Sequence, residues 1–328
     1  PSVWLPGGGY HTDAWKVLAG TGLALARGTR RPIPRRHDPL SSRYAAIASD
    51  LRQRDLRGDD GDFDMADIEE SLGIGRPRRP RLLGYYTAEG IEYALFQYGV
   101  LDFLRRLGYD RFRVEIAARG AGGDQVRLFA RAAQKHAVRE APPDEEHLLL
   151  DLALEKVRVA DADVLYIHWL SLRNPLARFS DARPRLPGQD VPGLGIAREV
   201  IELMARIAGR LHLAGVGYRP AWYHTSWPAR HRFRFVDPAR QGRFEALARD
   251  LAAVPLLEAS IAITQGRVLL DGAPYRWEPD PMILWTAAPP AGDKAHDERI
   301  RAERESARFT LLPRDAAQSD LPAAPLRT

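Results

Sequence analysis

The chain is predicted to be a mixed α/β protein of more than one part, on three observations. Apolar residues recur at helical spacing in some stretches and alternate as in strands in others. Two Arg/Pro-rich stretches, 27–36 and 76–81, set a short opening segment apart from a longer body. No apolar run approaches the roughly 18–20 residues that cross a bilayer, because Arg and Asp interrupt every one. A soluble protein is therefore expected. Its 328 residues and 45% apolar content suffice for two domains with real cores.

The elements follow in order. Residues 13–27 read as a short helix carrying Trp15, Leu18 and Leu25, closed by Gly28. Stretches 42–54 and 64–72 read as modest helices of a connecting region. From Tyr85 onward, Tyr93, Phe96, Val100, Phe103 and Leu107 fall on one helical face, which predicts a core-facing helix stopped at Gly108. Alternation at 112–116 and 126–129 across a glycine-rich turn predicts a hairpin. Residues 148–159 alternate again, while 164–172 are apolar on both faces and predict a central strand.

A second stripe, Ile196, Val200, Met204, Ile207 and Leu211, predicts a helix followed by a strand at 215–218. Residues 232–236 read as a strand, and Asp237-Pro238 as the N-cap and first position of a helix over 244–251. Asp271-Gly272 predicts a hairpin between 268–270 and 275–277. Beyond Trp285 the Ala, Pro and charge content predicts a disordered tail. The expected units are therefore 1–28, a linker over 29–84, an α/β domain over 85–285 and a tail over 286–328.

Net charge is +5, carried by arginine, since Lys occurs only at 16, 135, 156 and 294. The arginines are interspersed with nearly as many acids, so neither nucleic acid nor a membrane is an expected partner. With no Cys the chain can form neither disulfides nor thiolate metal sites, which fits a reducing cytoplasm, the expected location. The opening Pro1, followed by no charged-then-apolar leader, reads as a trimmed or partial boundary.

Two loops carry candidate chemistry. The first is Leu5-Pro-Gly-Gly-Gly-Tyr-His-Thr-Asp-Ala-Trp. It resembles the loop near the end of the catalytic domain in histone deacetylases and their bacterial relatives, over residues 1–28 only. The resemblance implies that this segment is the C-terminal remnant of an arginase/deacetylase-like α/β domain. It implies further that Tyr10, positioned by Gly7, Gly8 and Gly9, donates to the amide oxygen as it becomes an oxyanion beside zinc. The intact parent would then hydrolyse an acylated lysine or a small acylated amine. The family's Asp-His-Asp zinc ligands and paired histidines would precede Pro1, so no metal ligand is assigned within this chain and the chain alone is expected to be inactive in that reaction. The plainer reading is a loop-to-helix entry with Tyr10 packed on Trp15.

The second is Pro187-Gly-Gln-Asp-Val-Pro-Gly-Leu-Gly-Ile-Ala, which opens the second striped helix. It resembles the acetyl-CoA loop of Gcn5-related N-acetyltransferases, and the surrounding order of hairpin, strands, loop, helix and strand is similar as well. The resemblance implies an acetyltransferase-like sheet domain in which Gln189, Gly193, Leu194 and Gly195 cradle the cofactor's pyrophosphate. Pro192 departs from the pattern, since it stands where the first glycine belongs and has no N–H to donate. The alternative is a Pro-Gly turn with Gly195 allowing close packing.

Tyr218 and Tyr223 are candidate general acids. His168 is expected to be a satisfied core histidine, and neither His224 nor His231 has metal-ligand spacing. Asp144-Glu145-Glu146 reads as a solvated turn. An aromatic surface at 222–227 would suit a protein partner, which leaves a non-enzymatic binding domain as the third reading.

Overall fold

The computed structural model describes residues 38–58, 80–117, 123–133, 145–159, 161–181, 183–286 and 294–313. The expected helices at 13–27 and 64–72, the Gly-Tyr loop at 7–10 and the acidic turn at 144 lie outside them or at their edge.

Two short helices, α1 (Pro39–Asp50) and α2 (Gln53–Arg57), lead to α3 (Ala88–Gln97) and α4 (Val100–Arg106). An antiparallel meander follows: β1 (Tyr109–Ala117), β2 (Asp124–Ala132), β3 (Glu146–Val159) and β4 (Ala162–Leu172). Helix α5 (Ala197–Arg210) then crosses over to β5 (Gly215–Tyr218), which pairs parallel with β4. The remainder comprises α6 (Tyr223–Ser226), β6 (Arg234–Phe235), α7 (Pro238–Asp250), α8 (Leu256–Thr264), β7 (Val268–Leu270), β8 (Ala273–Pro274), β9 (Met282–Trp285), α9 (Lys294–Ser306) and β10 (Phe309–Leu311). Seven strands form one mostly antiparallel sheet in the order β1-β2-β3-β4-β5-β9-β6, and three form a small sheet in the order β10-β7-β8. The fold is thus mixed α/β. Among the described residues no helix is long and apolar enough to cross a membrane.

Register divides the large sheet into unlike faces. Val114, Val126, Leu128, Leu150 and Leu152 share the face on which α3 and α5 lie, because side chains alternate along each strand. Their neighbours Glu115, Arg127 and Asp151 point the other way and pair with one another, Arg127 lying 3.8 Å from Glu115 and 3.6 Å from Asp151. The stripe of α5 buries Val200, Met204 and Ala208 against the apolar face. It also buries Glu202 completely, and this carboxylate is held by Arg206 at 3.2 Å and by Arg232. Removing either arginine leaves that buried charge underpaired.

Four expectations are corrected. First, α1 and α2 are not mere connectors: Tyr44, Leu51 and Leu56 join the main core, and Asp38 both caps α1 and pairs with Arg198 of α5. Second, the stripe from Tyr93 to Leu107 is broken at Gly99, whose φ of 77° starts a new helix and rotates the chain. Tyr93 and Phe96 are consequently exposed, while Tyr98, Val100, Leu101 and Leu104 are buried. Third, the expected tail contains α9 and β10. Asp250 accepts from the Phe309 amide at 2.8 Å, and Arg249 donates to the carbonyls of Arg304 and Ala307 at 2.6 and 2.8 Å. The reason composition hid this is that α9 docks through backbone proximity: a Cβ on Gly242 of α7 would lie 2.4 Å from the Ile300 carbonyl oxygen. Fourth, the 222–227 aromatic segment is mostly interior, with residues Tyr223–Ser226 buried.

Candidate functional site

The candidate site lies at the one parallel strand pair among the described residues. Strands β4 and β5 are in register from Val164↔Gly215 to Ile167↔Tyr218, and there the pairing stops. Strand β4 continues to Leu172, bonded to β3 alone. In open α/β sheets ligands collect at the carboxyl ends of parallel strands, because backbone groups and helix N-termini converge there. The register of β3 with β4 also shifts at this point, with Ala153 opposite Trp169 but Leu154 opposite Ile167, so His168 is the extra residue of a bulge. A bulge re-aims the side chain it carries.

His168 is accordingly partnered, as expected, but it is not a core residue. Its side chain retains 26% of its exposure, and Nε2 lies 2.8 Å from Oε2 of Glu155 on β3. A carboxylate only accepts hydrogen bonds, so Nε2 donates to Glu155, which orients the imidazole. Tyr166 lies beside it, ring centroids 5.0 Å apart. This ring approaches β5 closely because its cross-strand neighbour is Gly217, where a Cβ would come within 2.9 Å of Tyr166 Cδ2. Burial pushes the Tyr166 hydroxyl up, opposed by Arg219, which also hydrogen-bonds it. Asp280 is raised as well, chiefly by burial and against the pull of Arg240 and Arg219. Glu155, Tyr166, His168, Arg219 and Asp280 thus gather acceptors, donors and one imidazole at the parting strands.

The glycine loop runs into α5 as the sequence suggested, but it is folded on itself. Gln189 is buried, its Oε1 accepts from the Leu186 amide at 3.0 Å, and its backbone carbonyl accepts from Arg185 Nε at 2.5 Å. The Pro192 carbonyl accepts from the Asn174 amide at 2.7 Å, which ties the loop to the end of β4. Leu194 points into the core, Gly193 is buried, and Gly195 takes a φ of 79° just before the helix. Helix α5 has no side-chain N-cap, so its first amides are open to another acceptor, although Glu199 occupies the first turn. Gln189 Nε2 and Trp169 Nε1 are buried without a protein partner.

The tyrosine candidates are otherwise engaged. Tyr218 donates to the Thr225 carbonyl at 3.0 Å. Tyr223 packs among Trp227, Phe244 and Trp277, where burial pushes its hydroxyl far up. His224 is wholly buried, with Nδ1 2.8 Å from Ser260 Oγ, and burial pushes its imidazole down to about 3. This serine–histidine pair, fully enclosed, is a packing feature of α6 and α8. His231 is lowered by burial and by Arg230. No group of three His, Asp or Glu able to hold a metal occurs among the described residues. Tyr10, Gly8 and Gly9 lie outside the described residues. The Glu155–His168 pair escaped sequence reasoning because the partners are 13 positions apart, and only the strand register joins them. Compared with known proteins, the chain matches no family model, no curated protein and no solved structure.

Proposed function

We propose that the α/β domain is a CoA-dependent N-acyltransferase, with His168 as the group that takes the proton from the attacking amine. The observation that carries this reading is the Glu155–His168 pair set on a bulge where the parallel strands part. An acyl thioester supplies the activated carbonyl. The amine nitrogen forms a bond to that carbonyl carbon, the carbon–sulfur bond breaks, the thiol leaves, and the proton lost by nitrogen is accepted at Nδ1 of His168. Glu155 orients the imidazole and stabilises its charged form. Arg219 and Tyr166 are donors at the same opening.

The cofactor's pyrophosphate would be held by the amides of Gly195, Ala197 and Arg198 at the uncapped start of α5. The unpartnered Gln189 Nε2 and Trp169 Nε1 fit a polar ligand entering between loop and strand. The Leu194 side chain packs in the core, which leaves its backbone as its contribution to the loop.

Thiol release from acetyl-CoA, measured with a panel of primary amines, tests the reading. His168→Ala is expected to lower kcat by about 10²–10⁴ with a smaller change in KM. No detectable acetyl-CoA binding at millimolar concentration removes the proposal.

A second reading rests on the Gly7-Gly8-Gly9-Tyr10 motif: a longer parent protein would be a zinc-dependent deacylase in which Tyr10 stabilises the oxyanion. Among the described residues no group of three His, Asp or Glu could hold a zinc ion, and no step is assigned to the metal here. The coding sequence upstream of Pro1 tests it. An open frame with paired histidines and an Asp/His/Asp set supports the deacylase; a stop codon there sinks it.

A further inference from the structure

On the opposite, helix-covered side of the sheet, α1, α2, α3 and α5 do not close completely on the strands. They leave a cavity of about 100 Å³ whose walls are almost entirely apolar, including Leu56, Ile91, Val126, Leu152, Val200 and Met204. Voids of this size are uncommon in close-packed interiors, and an apolar one stays dry. Arg206 and Arg210, one turn apart on α5, line one edge of it, and Tyr86 and Tyr98 also contribute to its wall.

The two arginines are differently engaged. Arg210 Nη2 donates to the carbonyls of Ala48 and Leu51 at 2.8 and 3.2 Å, closing the C-terminal end of α1. Arg206 Nη2 reaches Ser41 Oγ at 2.7 Å and Glu202 Oε2 at 3.2 Å, yet its Nε is buried with no partner. A buried guanidinium N–H on the rim of an apolar cavity asks for an oxygen acceptor. The surrounding charges favour an anion. Arg198, Arg206, Arg210 and Arg232 face Asp38, Glu199 and Glu202, and Glu202 is already shared by two arginines. The Arg206 side chain keeps 30% of its exposure, so the rim is reachable from solvent.

We infer that this cavity binds a short aliphatic carboxylate, with its chain among the leucines and valines and one oxygen on Arg206 Nε. Size sets the chain length. A cavity of about 150 Å³ accepts the six carbons of benzene, so about 100 Å³ takes a chain of roughly three to five carbons beyond the carboxyl carbon. The site is separated from His168 and Glu155 by the thickness of the sheet, and the inference does not depend on acyl transfer.

The experiment is calorimetric titration of the whole chain with butanoate, hexanoate, decanoate and hexan-1-ol. One-to-one binding of butanoate or hexanoate, at least about tenfold tighter than decanoate and hexan-1-ol, is the expected result. Ala94→Phe fills the cavity and is expected to weaken binding at least about tenfold; Val126→Phe serves if that variant does not fold. Arg206→Gln is expected to abolish the preference for carboxylate over alcohol while Arg232 continues to pair with Glu202. Absence of binding at millimolar ligand overturns the inference, as does binding unchanged in the filled variants. Equal binding of hexanoate and hexan-1-ol overturns the role of Arg206.

Discussion

The two faces of the seven-stranded sheet use alternate residues of the same strands and have opposite fates. On one, Leu128, Leu150 and Leu152 lie beneath helices; on the other, Arg127, Asp151 and Glu115 remain partly wet and pair across strands. The difference shows how a pleat separates stability from chemistry. Burial on one face frees the other to carry groups that stay in contact with solvent, such as Glu155 and His168. The two histidines repeat the contrast: His168 stays partly exposed beside a carboxylate, whereas His224 is sealed against Ser260.

The sharpest way to break this comparison is to shorten one side chain on each face. Leu154 has no exposed surface, and Leu154→Ala is expected to cost about 2–5 kcal/mol in urea unfolding. A loss below ~1 kcal/mol would mean that this face is not the core.

Acid is the second probe. His224 is buried neutral, so its folded-state pKa lies below that of the unfolded chain. Its contribution is complete above about pH 6.5 and is lost as pH falls, at about 1.4 kcal/mol per pH unit until the folded-state value near 3 is approached. His224→Gln should flatten the stability profile between pH 6.5 and 5. Asp250, held below the usual carboxylate range by Arg249, adds its own loss in the same direction at lower pH. A wild-type profile that is flat from pH 6.5 to 5 would contradict the enclosed imidazole.

Close backbone approach is tested at Gly242. In most helices Gly→Ala stabilises, but here the new methyl would meet the Ile300 carbonyl and Glu303 Cβ at 2.4 and 2.6 Å. Gly242→Ala is therefore expected to destabilise by upwards of ~1 kcal/mol and to raise amide exchange in α9. A stabilised variant would mean that α9 does not pack on α7. The smallest effect is expected on the charged face, where Arg127→Ala should stay within about 0.5 kcal/mol because the arginine is solvent-screened.

Much of the local structure was legible in the residues. Asp237 caps its helix by accepting from the Arg240 amide at 2.7 Å, with Pro238 in the first turn, as the Asp-Pro pair indicates. The stripe from Ile196 became Ala197–Arg210, the strand at 215–218 was found, and Asp271-Gly272 turns with φ of 50° and 83°. What failed did so for physical reasons. Periodicity from Tyr93 to Leu107 does not register a left-handed residue at Gly99. Strand Met282–Trp285, which joins β5 to β6, is four residues long and follows a proline, too little pattern to separate from a loop. Helix α9 buries none of its own side chains, so no apolar stripe announces it. The site is less legible than the fold: the glycine loop is visible in the sequence, but the burial of its Gln189 and Leu194 side chains is not, and nothing along β4 announces that His168 meets a carboxylate.

By itself the sequence determined where strands and helices form, since alternation, stripes and caps are properties of neighbouring residues. It also determined that no disulfide or thiolate metal site can exist, since the chain has no Cys. Only the tertiary structure decided which strands pair in parallel, where β4 and β5 part, that a bulge brings His168 to Glu155, and that two arginines rim an apolar cavity. Those depend on register between distant segments, and a shift of one residue in register exchanges the two faces of a strand.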